Sequence, residues 1–220
     1  TTRSRQSAEL SRGKDTTSGH WEMAGLVVSE AFQVFERGFP NQIVDKWVNE
    51  NHLPGVLGNR PASGTEIIKD LGEEHIKSGK PILYTSADSV WQVAAHEKHF
   101  GLERLYSICH SARKICDQLN ISRVIARPFV GESSNEFKRT YNRKDLSQVP
   151  FHKTFLDLLV EKGIHTRGIG KISSIYADQG IQSNIDSAGN TDGIRKLLNE
   201  LSQFQSGLLF CNLIDFDMLY

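Results

Sequence analysis

The stretch "SRGKDTTSGHWE", residues 11–22, sets Gly13, Lys14 and Asp15 directly ahead of Thr16 and Thr17. A phosphate loop of the G-x-x-x-x-G-K-[ST] type ending at Lys14 needs glycine at position 8 and serine or threonine at position 15. The chain has Ala8 and Asp15 there, so that motif is absent. Two readings of the turn remain. Either it opens a helix whose free N–H groups, with Lys14, stabilise a phosphoryl group on a threonine, or it is an ordinary N-cap followed by a solvated threonine. Spacing does not choose between Thr16 and Thr17.

Further along, "NLIDFDMLY" carries Asp215 and Asp217 two residues apart. On a strand both face one side, at a carboxyl end where carboxylates meet a hard divalent cation; the alternative is that one of them caps the turn after the strand. Arg127, Arg139, Arg143 and Lys171 offer forked or point-charge contacts to a sugar phosphate, or are solvated surface charges. Asp88, in "YTSADSV", suits acceptance of sugar hydroxyl protons and equally suits a helix N-cap. His96 and His99 lie at i, i+3 on an expected helix, without the H-E-x-x-H spacing of zinc proteases, and read as a helix face.

The elements that must position these groups follow from periodicity. Leu102, Leu105, Cys109, Ala112, Cys116 and Leu119 form a helical stripe over 100–119, and shorter stripes predict helices over 65–76, 154–162 and 194–204. Apolar runs bounded by turn residues predict strands at 81–85, 122–129, 165–172 and 207–217, the last as a buried central strand. The stretch 126–152, rich in Pro, Gly, Ser and charge, reads as a long loop. Strands alternating with helices predict an α/β fold with ligands at the carboxyl ends of strands, which directs attention to Asp88, Arg127, Lys171 and Asp217.

The 26 basic and 26 acidic residues of this 220-residue chain cancel, which excludes the basic excess of a general nucleic-acid binder and favours small-molecule partners. Three cysteines without a C-x-x-C read as free thiols of a reducing compartment. No apolar stretch is long enough to span a membrane and no secretory signal pattern opens the chain, so a cytoplasmic protein with no evident obligate protein partner is expected. The chain lacks an initiating methionine and stops just after an apolar run, which predicts a piece of a longer protein.

Six segments, "GKDTTSGHWEMAGL" (13–26), 52–97 beginning "HLPGVLGNRPASGTEII", "RVIARPFVGE" (123–132), "RTYNRKDL" (139–146), "GIGKISSIYADQGI" (168–181) and "NLIDFDMLY" (212–220), resemble phosphopentomutases of the bacterial, alkaline-phosphatase-superfamily type, in order along nearly the whole chain. The resemblance implies interconversion of (2-deoxy)ribose 1-phosphate and (2-deoxy)ribose 5-phosphate, a step linking nucleoside salvage to pentose phosphates. It implies Thr16 as the phosphoryl carrier, primed by glucose 1,6-bisphosphate or a similar bisphosphate, and two Mn2+ ions, with Mg2+ as the other candidate. It further implies Asp217 as a metal ligand, Asp88 on ribose hydroxyls, and Lys171 with one or more of Arg127, Arg139 and Arg143 on the phosphate remote from the reaction. The implied architecture is an alkaline-phosphatase-like core, here 1–29 and 149–220, interrupted by a smaller α/β cap at 30–148. A Gly-His metal segment expected after Tyr220, an N-terminal metal aspartate and a later Asp-His pair are not in this sequence, so these 220 residues alone are expected to be inactive. A metal-dependent phosphate-ester hydrolase and an inactive sugar-phosphate-binding piece are the competing readings.

Overall fold

The computed structural model describes residues 8–13 and 15–216, with the side chain of residue 216 excepted. The elements in chain order are α1 (Thr16–Met23), α2 (Asn41–Glu50), β1 (Leu57–Pro61), α3 (Gly64–Ser78), β2 (Ile82–Thr85), β3 (Val90–His96), α4 (Leu102–Gln118), β4 (Arg123–Val130), β5 (Lys138–Arg139), β6 (Lys144–Ser147), α5 (Phe155–Glu161), β7 (Thr166–Ile169), α6 (Ile172–Ile175), β8 (Ser183–Ile185), α7 (Asn190–Gln203) and β9 (Leu208–Cys211). A mixed α/β chain results. It divides into two compact units, one made of Thr1–Ala31 with Val149–Tyr220 and the other of Phe32–Gln148.

In the Phe32–Gln148 unit the sheet runs β1-β2-β3-β4-β5, with β6 also paired to β4. The β1–β2 and β3–β4 pairs are parallel; β2–β3, β4–β5 and β4–β6 are antiparallel. Alternation along the strands splits the core into two faces. Leu83, Trp91, Val93, Val124 and Ala126 meet Trp47 of α2 and Leu105, Cys109, Ala112 and Cys116 of α4 on one face. Ile82, Tyr84, Ala94 and Phe129 meet Ile67 and Ile68 of α3 on the other. Each large side chain buried this way contributes about 2 kcal/mol, and Trp47 Nε1 donates to the Ile108 carbonyl (2.9 Å), so the indole is buried without an orphan donor.

Three sequence expectations change in this unit. The stretch 126–152 is not one loop: β4 continues to Val130, and β5 and β6 return along its edge. His96 and His99 do not share an α-helical face. His96 ends β3, its Nδ1 accepting from the amides of Lys98 and His99, which begin a π-helical turn over Glu97–Gly101. Asp88 caps no helix; it sits exposed in the turn joining β2 to β3. At the unit's edge, Gln33 N donates to the Asn120 carbonyl (2.9 Å), Ser89 Oγ to the Gln33 carbonyl, Ser122 N to Ser89 Oγ (3.1 Å) and Gln148 N to the Ser122 carbonyl (2.8 Å).

The other unit carries a three-stranded sheet ordered β8-β7-β9, parallel throughout. Here 207–217 is neither one strand nor central. β9 ends at Cys211 and lies at an edge among the described strands, with β7 in the middle, and a 3-10 turn follows over Ile214–Phe216. Likewise β7 stops at Ile169, because Gly170 takes φ +85° with the Asn212 carbonyl 2.6 Å from where a Cβ would stand. Among the described residues no helix is long and apolar enough to cross a membrane.

Candidate functional site

Thr16 is the first residue of α1, and Asp15 is its N-cap. Asp15 Oδ1 accepts from the amides of Thr17 (2.9 Å) and Ser18 (3.1 Å), while Ser18 Oγ donates to Oδ2. The carboxylate thus takes two of the amides that a threonine-borne phosphoryl group was expected to meet, as an N-cap does. Gly13 makes the turn possible, since a Cβ there would stand 2.5 Å from Ser18 Oγ and 2.8 Å from Asp15 Oδ2. The geometry also separates the two threonines, Thr17 being buried at 1% exposure while Thr16 is half-buried. Lys14, expected to assist, lies outside the described residues.

Groups that the sequence left without a role hold this turn in place. Glu22 accepts from the amides of Leu10 and Ser11, both at 2.7 Å, and these bonds with one from the Ser11 side chain hold its carboxyl below the usual range, the Ser11 side chain having the largest effect. His20 Nδ1 lies 2.7 Å from the Thr16 carbonyl, and its Nε2 lies 3.3 Å from Asn212 Nδ2, just past β9. A proton on Nδ1 would be donated to the Thr16 carbonyl, which can only accept. Tyr176 Oη donates to the His20 carbonyl and Trp21 Nε1 to the Ile175 carbonyl (3.2 Å). The residue bearing the candidate nucleophile is thus tied to α6 and to the end of β9.

Lys171, half-buried, follows β7 directly after Gly170 in the same unit. Asp215 lies on no strand: it sits in the 3-10 turn, its Oδ2 accepting from Asn190 N (2.8 Å) at the start of α7, while Asn190 Oδ1 accepts from Asp215 N (2.9 Å). Asp215 therefore bonds the start of α7, a partner that neither the strand-face nor the turn-capping reading named. Asp217 lies outside the described residues. No group of three His, Cys, Asp or Glu side chains among the described residues could hold a metal ion, so those residues do not by themselves supply a divalent-metal site.

In the Phe32–Gln148 unit burial raises the pKa of the Tyr84 hydroxyl, and the charges of Arg127, Arg139 and Arg143 act against it. Arg143 is engaged: its Nε and Nη2 reach the two oxygens of Asp145 at 2.5 and 2.6 Å. Burial opposes charge on both partners, but their fork-to-fork bonding outweighs it, raising the Arg143 pKa and lowering that of Asp145. Arg123 joins Asp145 (3.8 Å) to Asp88 (3.9 Å). Arg127 places Nε on Gln92 Oε1 (3.1 Å), and burial, then the neighbouring Arg143, lowers its pKa. Arg139, exposed, donates through Nη2 to Thr65 Oγ1 (3.0 Å) at the start of α3. Arg127 and Arg139 are therefore better placed than Arg143 to take a new anion. Tyr84, Gln92, Arg123 and Asp145 were missed from sequence. Only Asp145, two residues after Arg143, carried a local signal.

No family model matches the chain. Curated relatives do. The phosphopentomutase of Anaeromyxobacter dehalogenans (strain 2CP-C) is 54% identical over 213 residues, covering 97% of this chain and 54% of that protein. Those of Syntrophotalea carbinolica and Caldanaerobacter subterraneus subsp. tengcongensis are each 50% identical over 214 residues, covering 96% and 97% of this chain respectively and 54% of either protein. The chain thus spans about half the length of the curated relatives it matches. With about half its residues identical to these relatives over 96–97% of its length, the chain belongs to the phosphopentomutase family.

Proposed function

We propose that the protein containing this chain is a phosphopentomutase, interconverting (2-deoxy)ribose 1-phosphate and (2-deoxy)ribose 5-phosphate through a phosphoryl group carried on Thr16 Oγ1. The observation that carries the reading is identity of about half the residues to phosphopentomutases over nearly the whole of this chain. The accessibility of Thr16 against the burial of Thr17 supports its part in it. The phosphorylated threonine gives its phosphoryl group to the free hydroxyl of the sugar monophosphate and takes back the phosphoryl group from the other end. While one phosphate reacts, the other must be held elsewhere. Arg127, Arg139 and Lys171 are the cations proposed for that task, with Arg143 as support through Asp145, and Asp88 is proposed for the ribose hydroxyls.

A phosphothreonine beside the Asp15 carboxylate, with the first amides already taken, needs cations for neutralisation. Mn2+ or Mg2+ would supply that charge in the full-length protein, with Asp217 proposed as one ligand and the remaining ligands outside this chain. Glucose 1,6-bisphosphate or a similar bisphosphate is the proposed primer. The Phe32–Gln148 unit is proposed as the cap and the remainder as part of an alkaline-phosphatase-like core, in a cytoplasmic enzyme.

The test follows 31P signals of ribose 1-phosphate with the full-length protein and Mn2+. Appearance of ribose 5-phosphate supports the mutase, whereas accumulation of inorganic phosphate instead identifies a hydrolase. The 220 residues alone are expected to give neither, and manganese-dependent isomerisation by them would overturn the division of labour proposed here.

A further inference from the structure

The peptide that joins Thr16 to Thr17 is held at both ends by side chains. Its N–H, on Thr17, donates to Asp15 Oδ1 (2.9 Å), and its carbonyl, on Thr16, meets His20 Nδ1 (2.7 Å). A carbonyl can only accept, so the second bond requires the proton on Nδ1. In an α-helix that carbonyl already has the main-chain N–H of residue 20 as its donor, so the ring supplies nothing the helix lacks. What it adds is orientation: the plane of this peptide sets ψ of Thr16 and with it the direction of the threonine hydroxyl. His20 is itself anchored. The Asn212 amide lies against its Nε2 (3.3 Å), and Tyr176 Oη donates to its carbonyl. Tyr176 is fully buried, and the Phe210 ring of β9 stands 6.2 Å from the His20 ring and 6.0 Å from that of Tyr176. Asn212 is fixed in turn: its N–H donates to the Ile169 carbonyl (2.9 Å) at the end of β7, and its own carbonyl oxygen lies 2.6 Å from where a Cβ on Gly170 would stand. All of these residues belong to one compact unit.

We propose that His20, bridging the Thr16 carbonyl to Asn212, is a positioning residue for phosphoryl transfer at Thr16, fixing the direction of the threonine hydroxyl relative to the ends of β7 and β9. The reaction it serves rests on the mutase reading; the bridge itself does not. His20 touches no reacting atom in this arrangement. A nucleophile whose oxygen swings by a fraction of an ångström loses its in-line approach, which lowers turnover while leaving the affinity for the sugar phosphate in place.

The test uses the full-length protein with Mn2+ and ribose 1-phosphate. Histidine has two amide mimics: the side-chain nitrogen of Asn can take the place of Nδ1, and that of Gln the place of Nε2. His20→Gln, which removes the donor to the Thr16 carbonyl, is expected to lower kcat about tenfold, the size of one hydrogen bond, with KM within about twofold. His20→Asn, which keeps that donor, should stay within about threefold of the parent kcat. Asn212→Ala, which frees the outer side of the ring, should fall between the two. Amide hydrogen exchange over α1 should follow the same order, a readout independent of the reaction. Parent kcat and parent exchange in both His20→Gln and Asn212→Ala overturn the proposal. Equal losses in His20→Asn and His20→Gln, with a lowered Tm in both, also overturn it by reducing His20 to a packing residue. Asn212→Ala keeps the test decisive should His20→Gln not fold. Release of inorganic phosphate from ribose 1-phosphate by the parent protein would refute the mutase reading alone, and the variants would then be ranked by that hydrolysis rate.

Discussion

The chain contains two helix starts with opposite provision for negative charge. At α1 the Asp15 carboxylate takes the first amides, so the turn that presents Thr16 is already an anion's complement. At α3 the N-cap serine makes no side-chain bond, and an orphan hydroxyl and an arginine stand beside the first turn. The same backbone geometry therefore serves two purposes. One end is closed by its own carboxylate; the other is left without a side-chain cap.

The contrast can be broken at several points. The largest effect is expected from Thr16→Ala in the full-length protein, which should lower isomerisation of ribose 1-phosphate by at least about a thousandfold, since Thr17 is buried and cannot replace it. Residual turnover near the parent rate would move the nucleophile elsewhere. Next comes Asp145→Asn, which leaves Arg143 and Arg123 facing a neutral amide in a mostly buried setting. Urea unfolding of the Phe32–Gln148 unit should show a loss of about 3 kcal/mol. The Asp145 carboxyl is held below its ordinary value of 3.8, so its stabilisation is complete above that pH and is lost as pH falls through the native value. The variant should flatten this acid-side dependence, and an unaltered profile would discount the ion pair.

Smaller effects sharpen the comparison at the caps themselves. Asp15→Ala should cost about 1 kcal/mol in thermal or urea unfolding by releasing the Thr17 and Ser18 amides, and Asp15→Asn should restore most of it. Equal losses in the two variants would mean that charge rather than capping matters there. Smallest is Ser63→Asp, which gives α3 the cap that α1 has and should stabilise the chain by about 0.5 kcal/mol. A stability loss would show that the α3 start tolerates no carboxylate.

What the sequence made legible is what local pattern encodes. The helix bearing Cys109 and Cys116, the strand before Asp88 and a helix start at Asp15 all follow from a few neighbouring residues. β3 escaped because "VWQVAAH" is buried along its whole length and lacks the alternation of a half-buried strand. The short β5 and β6 exist only through pairing with β4, which no local window reveals. At the arginine cluster, the residue types were readable and their occupancy was not. That Arg143 is held by Asp145, or that Tyr84 Oη is orphaned, depends on contacts set by tertiary packing. Thr16 over Thr17 came from family resemblance, since adjacent residues share every local signal.

The edge bonds among Gln33, Ser89, Asn120, Ser122 and Gln148 have a topological consequence. They pin the entering and leaving chain of the Phe32–Gln148 unit to the same few residues, so this unit is a guest whose two ends meet at a single doorway. A guest built this way adds little closure entropy to its host, because its own hydrogen bonds hold its ends together. Length changes within it need not be felt on the other side of the doorway.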